Sequence, residues 1–163
     1  MVTENDVNEL LAKYTPKQFL DITDFETEFL DYRSKVLVAN IYIERLMEFH
    51  IIKKSQDFGD LTKLSFSQKQ KILHKLGILD DSLNHELKIV NQIRNMFAHE
   101  VNPVGDKIPQ IIKKFKFYDE TKVPKTDNPI SQAEADGMVI GVITGFLMRY
   151  LVETLWEIDS EKL

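Results

Sequence analysis

Residues 24–54 read DFETEFLDYRSKVLVANIYIERLMEFHIIKK, and within them Phe25, Phe29, Tyr32, Val36, Ala39, Ile43 and Leu46 recur at steps of three and four. Such spacing lays one stripe of apolar side chains along a helix, and Asp24 stands where an N-cap residue belongs. A second set, Leu30, Leu37, Val38, Ile41 and Tyr42, widens the apolar arc. The sequence therefore predicts a helix reaching about Lys54 that lies centrally and meets several neighbours.

Working outward, Pro16, Pro103, Pro109, Pro124 and Pro129 are the five prolines, so the chain from Lys17 to Asn102 contains none and can be mostly helical. Ser67 can cap a shorter helix carrying Ile72, Leu73 and Leu76. Gly77 follows where a left-handed residue belongs, and Ile78 is placed to close that motif with an apolar contact. Asp80 or Asp81 opens the next helix, which runs through Leu83, Leu87, Val90, Ile93, Met96 and Phe97 and stops before Pro103. The connection from Asn102 to Pro129 holds one short helical or extended piece, Ile108 to Phe117, and a polar loop at Tyr118 to Thr121. Ser131 and Glu134 form a capping-box pair that starts a last helix reaching about Ile158. Gly137, Gly141 and Gly145 make a smooth ridge on that helix, which suggests close approach of another backbone, since each glycine there costs about 1 kcal/mol against alanine. No strand pattern competes. The expected fold is all-α, a bundle of four or five main helices forming one domain over residues 1–163.

Composition bounds the function. A chain of 163 residues with 43% hydrophobic and 29% charged side chains is long enough for a real core and too apolar for disorder. The 21 Lys and Arg against 26 Asp and Glu leave a net charge of −5, which argues against indiscriminate duplex binding through phosphates. With no cysteine there is no disulfide framework, thiolate nucleophile or cysteine-based metal site. The polar start at Met1 to Asp6 has neither the basic nor the apolar region of a secretory signal, and Thr144 and Arg149 break the apolar run of the last helix. A cytoplasmic protein without a membrane span is expected. His50, His74 and His85 lack metal-site spacing, and the glycines form no phosphate loop, so neither a metal nor a cofactor is expected.

The chemistry lies in Ile93-Arg94-Asn95-Met96-Phe97-Ala98-His99-Glu100. At about 100° per residue, Leu83, Leu87, Val90, Ile93, Met96, Phe97, Ala98 and Val101 fill one apolar arc, with Arg94 inside it. Asn95 and His99, four residues apart, share the adjoining polar edge with Asn91 and Lys88. Arg94 can snorkel outward or pair with a core carboxylate such as Glu44. Alternatively, its five fixed donors serve a phosphate while His99 exchanges protons near neutral pH, a pairing suited to phosphodiester cleavage without a metal. Beyond this helix, Lys107, Lys113, Lys114 and Lys116 interleave with Ile111, Ile112, Phe115 and Phe117. Either bases stack on these aromatics while Lys113, Lys114 and Lys116 hold phosphates, or the segment buries its Phe residues beneath a solvated lysine face.

Arg94-Asn95-Met96-Phe97-Ala98-His99 resembles the Arg-Asn-x-x-x-His motif of HEPN domains, an all-helical superfamily with many metal-independent ribonucleases. The run from Phe66 to Leu73, then Leu76 to Leu79, ahead of this helix is similar to the mannitol operon repressor-like branch. The resemblance implies a cleft between two protomers of a homodimer. In it His99 acts on the 2′-hydroxyl or the leaving oxygen, Arg94 stabilises charge on the phosphoryl group, and Asn95 orients the pair or bonds across the interface. The implied activity is RNA cleavage to a 2′,3′-cyclic phosphate and a 5′-hydroxyl, in a toxin or defence setting with an antitoxin or other protein partner. The other role the branch implies is a non-catalytic transcriptional regulator or interaction module. One histidine in the motif fits a two-fold site, because attack by the 2′-hydroxyl uses both a base and an acid.

Overall fold

The computed structural model describes residues 3–27, 32–54, 59–99, 107–116 and 129–157. Among these residues the chain is helical without strands: α1 (Glu4–Lys13), α2 (Pro16–Thr27), α3 (Tyr32–Lys54), α4 (Phe66–Lys75), α5 (Asp81–His99), α6 (Lys107–Ile112) and α7 (Pro129–Leu155), with a single 3-10 turn at Leu61–Lys63. The all-α class expected from the sequence is what the chain adopts.

Helix starts follow local capping chemistry. Thr15 and Gln18 bond each other's backbone N–H, at 2.9 and 3.2 Å, and Pro16 occupies the first helical position, where its missing donor costs nothing. That start places Asp24 inside α2, so it does not cap α3. Ser65, and not Ser67, caps α4, because Gln68 returns its side chain to the Ser65 N–H at 2.8 Å. Gly77 has φ +71°, and Ile78 N–H reaches the Leu73 carbonyl at 3.0 Å while Gly77 N–H reaches that of His74 at 3.1 Å, the left-handed stop expected from the sequence. Asp80 caps α5 through the Leu83 N–H at 2.7 Å. The backbone of α7 is already helical at Pro129, two residues before Ser131.

Core side chains come from α3, α5 and α7 above all: Ile43, Leu46, Met47 and Ile51, then Leu87, Val90 and Ile93, then Ile140, Leu147 and Leu151 are all buried. α3 lies along α7 and also receives α1, α2, α4 and α5. His50 Nε2 donates to the Leu151 carbonyl at 2.7 Å and Lys53 Nζ to that of Leu155 at 2.6 Å, so α3 and α7 run in the same direction. Trp156 Nε1 holds the Tyr14 carbonyl at 3.1 Å and Phe19 packs on Trp156 at 5.9 Å, which fixes the N-terminal helices to the end of α7. Lys69 on α4 is buried between Glu44 at 2.6 Å and Glu48 at 2.7 Å on α3. Burial opposes the ammonium charge, but the two carboxylate bonds outweigh it and hold the Lys69 pKa above its ordinary value.

Two expectations about packing change. Ile41 is 64% exposed, outside the buried arc assigned to it. Gly141 and Gly145 are exposed, and a Cβ added at either meets no atom within 4 Å, so no backbone of the described chain crosses the ridge at these two glycines. With Met138 and Val142 exposed and Phe146 half-exposed beside them, this is instead an apolar outer stripe. Extending the parallel register of α3 and α7 sets Ile41 at the height of Val142. Among the described residues, Ala135–Leu155 is the one stretch long and apolar enough to cross a membrane, despite Thr144 and Arg149; 44% of its apolar window is buried in the bundle.

Candidate functional site

The amphipathic pattern of α5 fixes what its last turns present. Leu83, Leu87, Val90, Ile93, Met96 and Phe97 are buried, which turns Lys88, Gln92, Asn95 and His99 outward. Ala98 is exposed as well and so departs from the apolar arc, while Val101 lies outside the described residues. Arg94 is half-buried at the margin of that arc. Its Nη1 donates to Asn95 Oδ1 at 2.9 Å, which swings the guanidinium round to the polar edge. Glu44, the carboxylate that could have paired Arg94 in the core, takes Lys69 instead. Asn95 thus stands between the guanidinium, to which it is bonded, and His99 one turn further on; among the described residues no hydrogen bond joins His99 to either.

Arg33 lies beside this end of the helix. From the start of α3 it donates through Nη2 to the Phe97 carbonyl, one of the C-terminal carbonyls that α5 cannot satisfy itself. Arg33 carries no sequence periodicity that marks it, so its place at the site follows only from the packing of α3 on α5. Cations at a helix C-terminus are favoured by the partial negative charge there.

α6 forms the opposite wall. His85 Nε2 donates to the Lys114 carbonyl at 2.9 Å, and Lys116 N–H donates to the buried Glu86 at 2.7 Å, so the exit of α6 is tied to α5 at two points. Ile112 and Phe115 face inward at 2% and 3% exposure. Phe115 is therefore not a stacking platform, and the segment buries its apolar face beneath exposed Lys107, Lys113, Lys114 and Lys116; Phe117 lies outside the described residues. Between α5 and α6 opens a groove of about 460 Å³ lined by Gln92, Met96, Lys107, Gln110, Ile111 and Lys114. Of the three lysines assigned to substrate from the sequence, Lys114 lines this groove, whereas Lys113 and Lys116 are exposed beside it. Gln92 and Gln110 were not singled out by sequence: glutamine on a helix surface gives no signal until the facing helix is known.

His50, His74 and His85 each hold a backbone carbonyl. Among the described residues no three His, Asp or Glu side chains cluster as metal ligands would. Compared with known proteins, the chain matches no family model, no curated protein and no solved structure.

Proposed function

We propose that this chain is a metal-independent endoribonuclease of the HEPN type that acts as a homodimer. The observation that carries the reading is the grouping of Arg94, Asn95 and His99 on the open edge of one helix end, with the guanidinium bonded to the neutral Asn95 amide. A guanidinium whose nearest partner is uncharged keeps its donors for a phosphoryl oxygen. His99 moves the protons of 2′-hydroxyl attack and departure, and a two-fold partner supplies the second imidazole. A restraining protein of the antitoxin kind and a cytoplasmic setting belong to the same reading.

The test is incubation of the purified protein with structured and unstructured RNA in EDTA, beside Arg94→Ala and His99→Ala. Cleavage to 2′,3′-cyclic phosphate and 5′-hydroxyl ends is expected to persist in chelator and vanish in both variants. Sedimentation is expected to give twice the 19.0 kDa chain mass. A folded dimer that leaves RNA intact would overturn the enzyme in favour of a second reading, a non-catalytic regulator of the mannitol repressor type. That alternative is favoured by the exposed apolar stripe of Met138, Val142 and Phe146, a surface suited to protein contact.

A further inference from the structure

We infer that the groove between α5 and α6 is a subsite for one nucleotide of a single-stranded RNA, next to the Asn95–His99 edge. The inference rests on the ribonuclease reading for the class of its ligand, and on the groove's own chemistry for the rest.

Position comes first. At about 100° per residue, His99 falls roughly 20° from Gln92 on the α5 surface and one turn beyond Met96, so the side of the helix that lines the groove continues directly to His99. A strand whose scissile phosphate sits at Asn95 and His99 therefore has its next nucleotide over Gln92 and Met96. α6 meets it there, held in place by the bonds of His85 to Lys114 and of Lys116 to Glu86.

Chemistry follows position. Met96 and Ile111 give the groove an apolar floor, and a thioether against the flat face of a base is a favourable contact that every base can make. Gln92 and Gln110 stand at the sides, each with an amide NH2 that donates and a carbonyl that accepts, the combination that reads an unpaired base edge. Lys107 and Lys114 mark the two ends of the α6 wall, seven residues apart, and their ammonium groups suit backbone phosphates before and after the base. Among the described residues the charged side chains lining the groove are Lys107 and Lys114, which suits an anionic ligand. The volume, about 460 Å³, lies within the range of small-molecule sites.

The probe is a short fluorescein-labelled single-stranded RNA methylated at every 2′-oxygen, so that it can bind and cannot be cut. Its affinity is read by anisotropy across a salt series for the full chain, for Lys107→Gln/Lys114→Gln, for Gln92→Ala/Gln110→Ala, and for Lys71→Gln as a control on an exposed face of α4. Folding of each variant is checked by its melting temperature. The lysine pair is expected to weaken binding about tenfold or more and to flatten the dependence of log affinity on log salt by about 0.7 for each lysine removed. The glutamine pair is expected to weaken binding without changing that slope, and Lys71→Gln to do neither. The same variants on the cleavable RNA in EDTA are expected to raise KM and leave kcat. If the probe fails to bind, or binds equally to wild type and groove variants, the subsite is wrong. Cleavage that persists with unaltered KM in those variants also overturns the subsite while the ribonuclease stands. Binding that depends on the groove while the cleavable RNA stays intact supports the subsite and removes the ribonuclease.

Discussion

Lys69 and Arg94 are both cations on helices packed against α3, and their surroundings are opposite. Lys69 is 3% exposed and held by two carboxylates, at 2.6 and 2.7 Å. Arg94 is half-exposed, its bonded partner is the neutral Asn95 amide, and among the described residues no carboxylate lies within ion-pair distance of it. A buried charge must be neutralised by the fold, since leaving it alone in a low-dielectric interior is too costly. A charge at the surface is free of that demand and can be left for a ligand. Lys69 is thus a structural cation, and Arg94 has the surroundings of a functional one.

Breaking the Lys69 cluster is expected to give the largest effect. Lys69→Met leaves Glu44 and Glu48 facing each other without their shared cation, Glu48 keeping Arg45 at 2.7 Å, and should cost about 3 kcal/mol in urea unfolding. Replacing all three together, with Lys69→Met, Glu44→Leu and Glu48→Leu, should recover most of the loss, because the desolvation penalty disappears with the charges. If the single variant is as stable as the wild type, Lys69 is not the tie between α3 and α4 that its burial implies.

The histidines sharpen the same contrast. His50 is buried against the Leu151 carbonyl, and burial pushes its pKa down to about 4 even though the bond to that carbonyl acts in the other direction. The unfolded chain takes up this proton near the ordinary value of 6.5. Between those values the unfolded state binds more protons than the folded one, so stability falls as pH falls from about 6.5 to about 4. The full effect of this one group is about 3 kcal/mol. Urea unfolding at closely spaced pH values should show that loss, and His50→Gln, which can still donate to Leu151, should flatten it. An equal slope in the variant would assign the pH dependence to other groups.

Much of this arrangement was legible before any coordinates. The Gly77 stop, a start at Asp80 or Asp81 and the inward face of α5 up to Phe97 follow from periodicity and capping, both of which are local. The outward placement of Asn95 and His99 follows from the same wheel. What sequence missed is set by neighbours. Ile41 has the spacing of a core residue, yet among the described residues no helix covers it. Lys69 is chemically a surface residue until Glu44 and Glu48 are known to face it. Arg33 and the groove walls need the docking of α3 and α6 on α5, which a one-dimensional pattern does not contain. Ser67 is a good cap that lost to a better-formed pair beside it, Ser65 with Gln68, and Asp24 falls inside α2 because that helix runs on to Thr27.

A smaller effect is expected at the glycine ridge of α7. Gly141 is helical, exposed, and clear of any atom that a Cβ would touch. Gly141→Ala therefore removes chain entropy from the unfolded state without strain in the folded one, and should stabilise by about 0.5–1 kcal/mol, or about 2–4 °C in Tm. Should the alanine instead lower Tm, a second copy of the chain or another partner must press against this stripe in solution, and the ridge would regain the packing role its spacing suggests.

The smallest change in stability is expected where the largest change in activity is proposed. Arg94→Ala removes a side chain whose hydrogen bond lies at the surface, and His99→Ala removes an exposed imidazole at the last residue of α5. Surface substitutions away from buried contacts shift stability by no more than about 0.5 kcal/mol, and the Asn95 amide freed by Arg94→Ala can turn to water. Urea unfolding should therefore find both variants close to the wild type while RNA cleavage is lost. Were either variant to unfold as readily as Lys69→Met, its side chain would be carrying structure, and a loss of cleavage could no longer be assigned to chemistry. The comparison between the sealed cation and the open one stands on that difference, because it requires stability and activity to respond to different residues.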